Sequence, residues 1–327
     1  MSTLTLLLFF SLYDGSGSLP MVYKALDGMH TAVKGSGKWA GKTLTQAELL
    51  SMCDALAQPQ LPEATTWLKE NINPSLMRAE EITAFAKEVG ATADTSQHAL
   101  KCAMDLKIEW TTAGQPQVKS TPNGASQVLL LKDFEAFQLS THSRPIIQIS
   151  TKDKDWQVYA TIWPAATGDF NSPLRLATKL FNDINYNLVG LGSIEKTPVE
   201  NPGVIELPLF EKTFKGKQDE LTDVFVFSES SQTFLIKNAL RRMRSAVTAG
   251  GWEIQDHMMV SGSFDFLTFE PKFFDEEDPF RLPGGRGAIA PIQSDYLSQD
   301  VILIWASRRN YQFPVFVTTL GIPGSDS

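Results

Sequence analysis

The chain is poor in the residues that announce chemistry. Four histidines, His30, His98, His142 and His257, occur in 327 residues. None lies at a metal-ligand spacing, and none accompanies a serine or cysteine in a nucleophile signature. Two cysteines, Cys53 and Cys102, sit far apart in segments that read as helical. They form no zinc pattern and no disulfide framework, so a reducing compartment is expected. No Asn-x-Ser/Thr acceptor occurs, which fits the same cytoplasmic reading. Long apolar runs are missing too: Leu4–Leu12 is too short to span a membrane and lacks the basic flank of a signal peptide. Positive charge is in deficit, with 29 Lys and Arg against 37 Asp and Glu, a formal net charge of -8. A protein that coats nucleic acid by neutralising phosphates needs the opposite balance.

What is present is an ordinary globular composition, 43% hydrophobic and 20% charged, long enough for two or three domains. Leu4–Leu12 reads as a strand apolar on both faces, suited to the middle of a covered sheet. A helix follows with Leu19 and Pro20 in its first turn and Val22, Ala25, Leu26, Met29 and Val33 on one face. Gly35–Lys42 is a break, and Gly41-Lys42-Thr43 fails the phosphate-loop spacing because Ser36 stands where the first glycine belongs. Further helices are expected over Thr45–Leu56, Glu63–Asn71, Glu80–Val89 and Ser96–Leu106. Thr111–Ser126, rich in Thr, Gly, Pro, Gln and Ser, reads as a linker.

Strands then dominate, at Val128–Leu131, Pro145–Ile149 and Val158–Trp163. A helix over Leu174–Ile184 begins at Ser172-Pro173, and strands follow at Leu188–Ile194 and Val204–Leu209. The same order of strand, helix, strand, strand is expected again: Val224–Phe227, a helix over Ser231–Ala249, Trp252–Ile254 and Ser263–Phe269. The fold class is therefore α+β. A mainly helical part (1–110) follows one strand, and after the linker (111–126) comes a larger part (127–327). That larger part is built from βαββ-type units, at about 159–210 and 224–270, with helices on one face of the sheets. Duplication of one unit and independent use of a common motif explain the parallel equally well.

Three features bear on function. Asp14-Gly-Ser16-Gly-Ser18 sets one carboxylate and two hydroxyls at i, i+2 and i+4 before a helix N-terminus, an arrangement able to offer oxygens to Mg²⁺. A capped Gly/Ser turn uses the same residues. The spelling resembles the Asp-x-Ser-x-Ser metal-adhesion motif of von Willebrand factor A domains. That resemblance implies a threonine from a later loop, matched by Thr92, and an aspartate after a further strand, matched by Asp133. No other cofactor is expected.

Second, Lys237, Arg241 and Arg244, with Arg242, form a basic stripe on the expected Ser231–Ala249 helix. Arg286, in the irregular Leu282–Gly287, joins them as a candidate interface. The acidic turn Asp275–Asp278 is a candidate to dock there. Third, Phe274–Ser298 is a long excursion beside apolar strands. The expected function is a non-enzymatic protein-binding or self-assembling structural protein, acting through strand edges and this extended loop. Two alternatives stand beside it: a divalent-metal-dependent adhesion protein, and an enzyme whose site assembles from residues distant in sequence.

Overall fold

The computed structural model describes residues 16–57, 62–95, 97–121, 124–164, 171–185, 195–199, 203–230, 232–265, 300–309, 311 and 313–321. The expected strands Leu4–Leu12 and Leu188–Ile194 lie outside or almost wholly outside them. So do Asp14, the Asp275–Asp278 turn, the Phe274–Ser298 excursion and Arg286.

Five helices are described: α1 (Leu19–Ala32), α2 (Leu44–Ala57), α3 (Pro62–Asn71), α4 (Ala79–Glu88) and α5 (Asn171–Asn185). Each was expected within a few residues. Ser18 caps α1 in an extended conformation, its Oγ accepting from Met21 N at 3.3 Å, with Pro20 in the first turn. Leu19, Met21, Val22, Ala25, Leu26 and Met29 are all buried, so α1 is a core helix. At α4 the Glu81 carboxylate reaches back to Arg78 N at 2.7 Å, which starts the helix where it does. Among the described residues no helix is long and apolar enough to cross a membrane.

The rest is antiparallel sheet. A seven-stranded sheet runs in the order β1 (Gly35–Ala40), β12 (Phe225–Ser228), β13 (Thr233–Val247), β14 (Gly251–Asp265), β3 (His98–Glu109) and β2 (Ser75–Leu76), with β11 (Phe210–Lys217) also paired to β13. A three-stranded sheet orders β10 (Ile205–Pro208), β5 (Gly124–Leu131) and β4 (Gln115–Thr121). A six-stranded sheet orders β16 (Phe316–Gly321), β15 (Asp300–Arg308), β8 (Trp156–Pro164), β7 (Ile146–Ile149), β6 (Phe134–Leu139) and β9 (Lys196–Pro198). The molecule is thus α+β, with its helical part N-terminal.

Several elements differ from expectation, for physical reasons. Ser231–Ala249, expected as a helix, carries the fifteen-residue strand β13. Its apolar residues Ala239, Met243 and Val247 are four apart, a spacing that keeps side chains together on a helix and on a strand alike. Partners on both sides, β11 and β12 against β14, decide for the strand. The two short strands expected beyond it are one, β14, also fifteen residues long. The unit at 224–270 therefore has no helix among its described residues, and its parallel with 159–210 does not hold there.

Ser96–Leu106, also expected as a helix, belongs to β3. From Leu100 to Ile108 the even positions Leu100, Cys102, Met104, Leu106 and Ile108 are buried, while Asp105 and Lys107 are exposed. That is the period of a strand with one covered face. The expected linker holds β4 and the start of β5, and Gly35–Ala40 is a strand paired with β12 rather than a break.

The core lies on the inner face of the seven-stranded sheet, where α1 packs on β3 and β14. Trp252 of β14 meets Phe316 of β16 edge to face, with ring centroids 5.6 Å apart, so the two larger sheets touch through buried aromatics. The turn from β13 to β14 needs glycine: a Cβ at Gly251 would stand 2.1 Å from Ile108 O.

Candidate functional site

The residues singled out from the sequence fall at three places. The first is the N-terminus of α1. Gly17 and Val317 exchange backbone hydrogen bonds of 2.8 Å in both directions, tying the helix start to β16. Ser16 Oγ lies 2.6 Å from Thr318 Oγ1, and Ser18 Oγ is the helix cap. Both hydroxyls are buried and used inside the fold, whereas Thr92 is exposed in the loop after α4 and Asp133 is exposed between β5 and β6. Among the described residues no three His, Cys, Asp or Glu side chains cluster as metal ligands.

The second place is directly beneath. Arg241, expected on a solvated helix face, points into the core and is 2% exposed. Its Nε and Nη2 donate to Asp256 Oδ1 and Oδ2 at 2.8 and 2.6 Å, and Nη1 donates to Ser16 O at 2.9 Å. Asp256, on β14, is 0% exposed. A bidentate guanidinium–carboxylate pair is the geometry that makes two charges tolerable in such a place. It binds β13, β14 and the entry to α1 together. Asp256 was missed from the sequence. Its signal is one charged residue among Trp252, Ile254, Met258 and Val260 on the inner face of β14.

The third place is the outer face of the seven-stranded sheet. Arg242 Nη2 approaches His257 Nδ1 at 2.9 Å, and the same guanidinium pairs with Glu88 of α4. His257 Nε2 is buried and lies 3.7 Å from Asp105 Oδ1, beyond hydrogen-bonding distance. Burial, then the charges of Arg242 and Lys101, pull the His257 imidazole below its usual range. Arg244 Nε donates to Glu211 Oε1 at 2.7 Å, with Glu253 Oε2 3.9 Å from its Nη1. Lys237 Nζ lies 3.8 Å from Asp265 Oδ2. The expected basic stripe is thus a lattice of matched charges spread over four strands, and Arg241 is not part of it. Burial pushes the Cys102 thiol up to about 12 and Cys53 higher still, which leaves both as inert packing groups.

The sheet edges are the remaining candidate. Leu209 N donates to Gln127 O at 3.1 Å, so with the observed register residues 205 and 207 of β10 turn their backbone groups toward β5. Glu206 then turns its N–H and C=O to the side on which, among the described residues, no strand pairs with β10. By the same alternation Gln117 and Lys119 of β4 bond to β5, and Pro116, Val118 and Ser120 face outward. Residues 115–120 are exposed, and Val118 is 64% exposed.

No protein-family model and no curated protein matches the sequence. Solved structures do. A cleaved serpin of 42 Da designation aligns with a TM-score of 0.53 at 10% identity, over 97% of this chain and 94% of its own. A second crystal form of that cleaved serpin aligns with a TM-score of 0.52 at 10% identity, over 95% and 91%. A loop C-sheet serpin polymer aligns with a TM-score of 0.49 at 11% identity, over 94% and 89%. The α+β architecture of this chain is a serpin-like fold.

Proposed function

We propose that the chain is a non-enzymatic binding protein that recruits an extended segment of another protein, or of a second copy, along the edges of its three-stranded sheet that no described strand covers. The observation that carries this reading is β4. Its outward backbone donors at Val118 and Ser120 lie beside an apolar side chain left in solvent. An added strand would satisfy those donors and cover Val118 at once. Pro116, which has no N–H to offer, blunts the start of the edge and restricts docking to the part after it.

Proline substitution isolates the edge. In Val118→Pro and Glu206→Pro the lost N–H is one that points away from β5, so the pairing inside the sheet is kept. Sedimentation velocity over a concentration series tests self-association, and selection of extended peptides from a displayed library tests a foreign partner. Association or peptide binding that falls about three- to tenfold in either variant supports the reading, since each variant removes one backbone hydrogen bond and that is about its worth. A chain that stays monomeric and selects no peptide sensitive to either variant overturns it.

A second reading, inhibition of a protease, is favoured by the likeness of fold to a cleaved serpin. Residual activity of a panel of serine and cysteine proteases after incubation with the chain decides it. Full activity throughout rejects it.

A further inference from the structure

Two backbone irregularities meet on the outer face of the seven-stranded sheet. Asp223 holds a left-handed conformation, φ 69°, that a non-glycine residue seldom adopts. Its N–H donates to Ile236 O at 2.9 Å, and Ile236 N donates to Val224 O at 2.9 Å. One residue further on, the β13–β14 register shifts between Ile236 and Asn238, so Lys237 is a bulge residue without a cross-strand partner in the register. The close approach there is paid for by Gly262, where a Cβ would stand 2.2 Å from Leu235 O. Bulges re-aim side chains, and strained residues persist where the fold needs a side chain in one place.

Both irregularities aim a charged group at one cleft of about 260 Å³. Its floor is apolar: Phe225 and Leu235 are cross-strand neighbours, and each is less than 10% exposed. Its walls carry opposite charges on either side. Lys42 Nζ is 3.6 Å from Asp223 Oδ2, and Lys237 Nζ is 3.8 Å from Asp265 Oδ2. Each separation is that of an ion pair a little longer than a direct hydrogen bond.

A ligand that suits this cleft must match two cations and two anions across a short distance and cover an apolar floor. A simple anion would face two carboxylates, and a simple cation two ammonium groups. A neutral apolar molecule would strip water from all four without recompense. The volume is also smaller than the roughly 300–1,000 Å³ of sites for drug-sized ligands. We propose that this cleft binds a free α-amino acid with an aliphatic or aromatic side chain. The carboxylate lies against Lys42 and Lys237, the ammonium against Asp223 and Asp265, and the side chain on Phe225 and Leu235.

Calorimetric or NMR titration of the full chain with L-leucine and L-phenylalanine tests the proposal. Saturable binding is expected for at least one of them. 4-Methylpentanoate, which lacks the ammonium, and 3-methylbutylamine, which lacks the carboxylate, should bind at least about tenfold more weakly, the worth of one charge-assisted hydrogen bond. Glycine should not saturate, because it leaves the floor uncovered. Lys237→Met and Asp265→Asn, changes at solvent-accessible side chains, should each weaken leucine binding by a similar factor. Failure of both amino acids to saturate overturns the proposal. So does equal affinity for either truncated analogue or for glycine, or binding unchanged in both variants. The analogue series needs no variant and stands if a substitution impairs folding.

Discussion

Arg241 and Asp256 illustrate how a single pair of residues can organise a fold while adding little net stability. Each charge has been taken out of water, and each is compensated by the other and, for Arg241, by Ser16 O. Removing one partner strands the other. Arg241→Met or Asp256→Leu alone should therefore cost about 3–5 kcal/mol in equilibrium denaturation. The double replacement, apolar on both sides, should recover most of that loss, and a double variant as unstable as the sum of the singles would refute the account. Ser18→Ala, which removes only a helix cap, should cost about 1 kcal/mol. At this scale the sequence was partly legible. The cap at Ser18 and the proline after it are local signals, and they lie where they were read. Arg241 was misplaced because a charged residue flanked by Arg242 and Arg244 resembles a solvated stripe; the carboxylate that draws it inward lies fifteen residues away on another strand.

Among the helices, α4 is anchored through a cluster of its own, apart from the main core. Ile82, Phe85, Ala86 and Val89 form a satellite cluster with Ala99, Leu240 and Met259 on the outer face of the large sheet, and Glu88 links it to Arg242. Arg242 in turn donates to His257 Nδ1, an atom that accepts only while unprotonated. The groups facing this imidazole are Arg242 from β13, Lys101 and Asp105 from β3, and Glu88 through Arg242 from α4. Because the folded imidazole titrates below the usual value near 6.5, the unfolded chain takes up its proton first as pH falls. Its contribution to stability is therefore constant above that value, declines as pH drops below it, and levels off once the folded form is protonated as well. Protection factors of the Ala79–Glu88 amides, taken relative to intrinsic exchange at each pH, should fall over that window, and Arg242→Met should remove the fall. Protection factors in α4 that stay constant across that window would show that the contact is passive. Elements of this kind were legible where one period held without competition, as in α1 and α4. β3 carried a clear two-residue alternation from Leu100 to Ile108 that its alanines and charged residues disguised as helix. β13 was ambiguous from local pattern alone, since every fourth residue satisfies both templates.

At the scale of the whole molecule, the α+β class followed from composition and element order, but the way the chain closes on itself did not. Strand β3 comes from the part read as a separate helical region, yet it pairs along its length with β14. Pairings between residues roughly 150 positions apart leave no mark in a single sequence, and the aromatic contact between the large sheets is as distant. These links lead to a prediction about cooperativity. Ser16–Thr318, Gly17–Val317, Arg241–Ser16 and Trp252–Phe316 all bridge the seven-stranded sheet, the start of α1 and the six-stranded sheet in one small volume. If that volume couples the sheets, residues 16–110 and 127–321 unfold together rather than as two regions. Near-ultraviolet dichroism of the stacked Tyr159 and Trp305, centroids 5.3 Å apart, reports on the six-stranded sheet, and exchange of the β14 amides reports on the seven-stranded one. The two midpoints in denaturant should coincide. Trp252→Ala, which empties a large buried site at a cost of about 3–5 kcal/mol, should move both by the same amount. Midpoints that separate in the parent chain, or a variant that shifts the β14 amides while the Tyr159–Trp305 signal stays in place, would mean that the sheets are neighbours without being coupled.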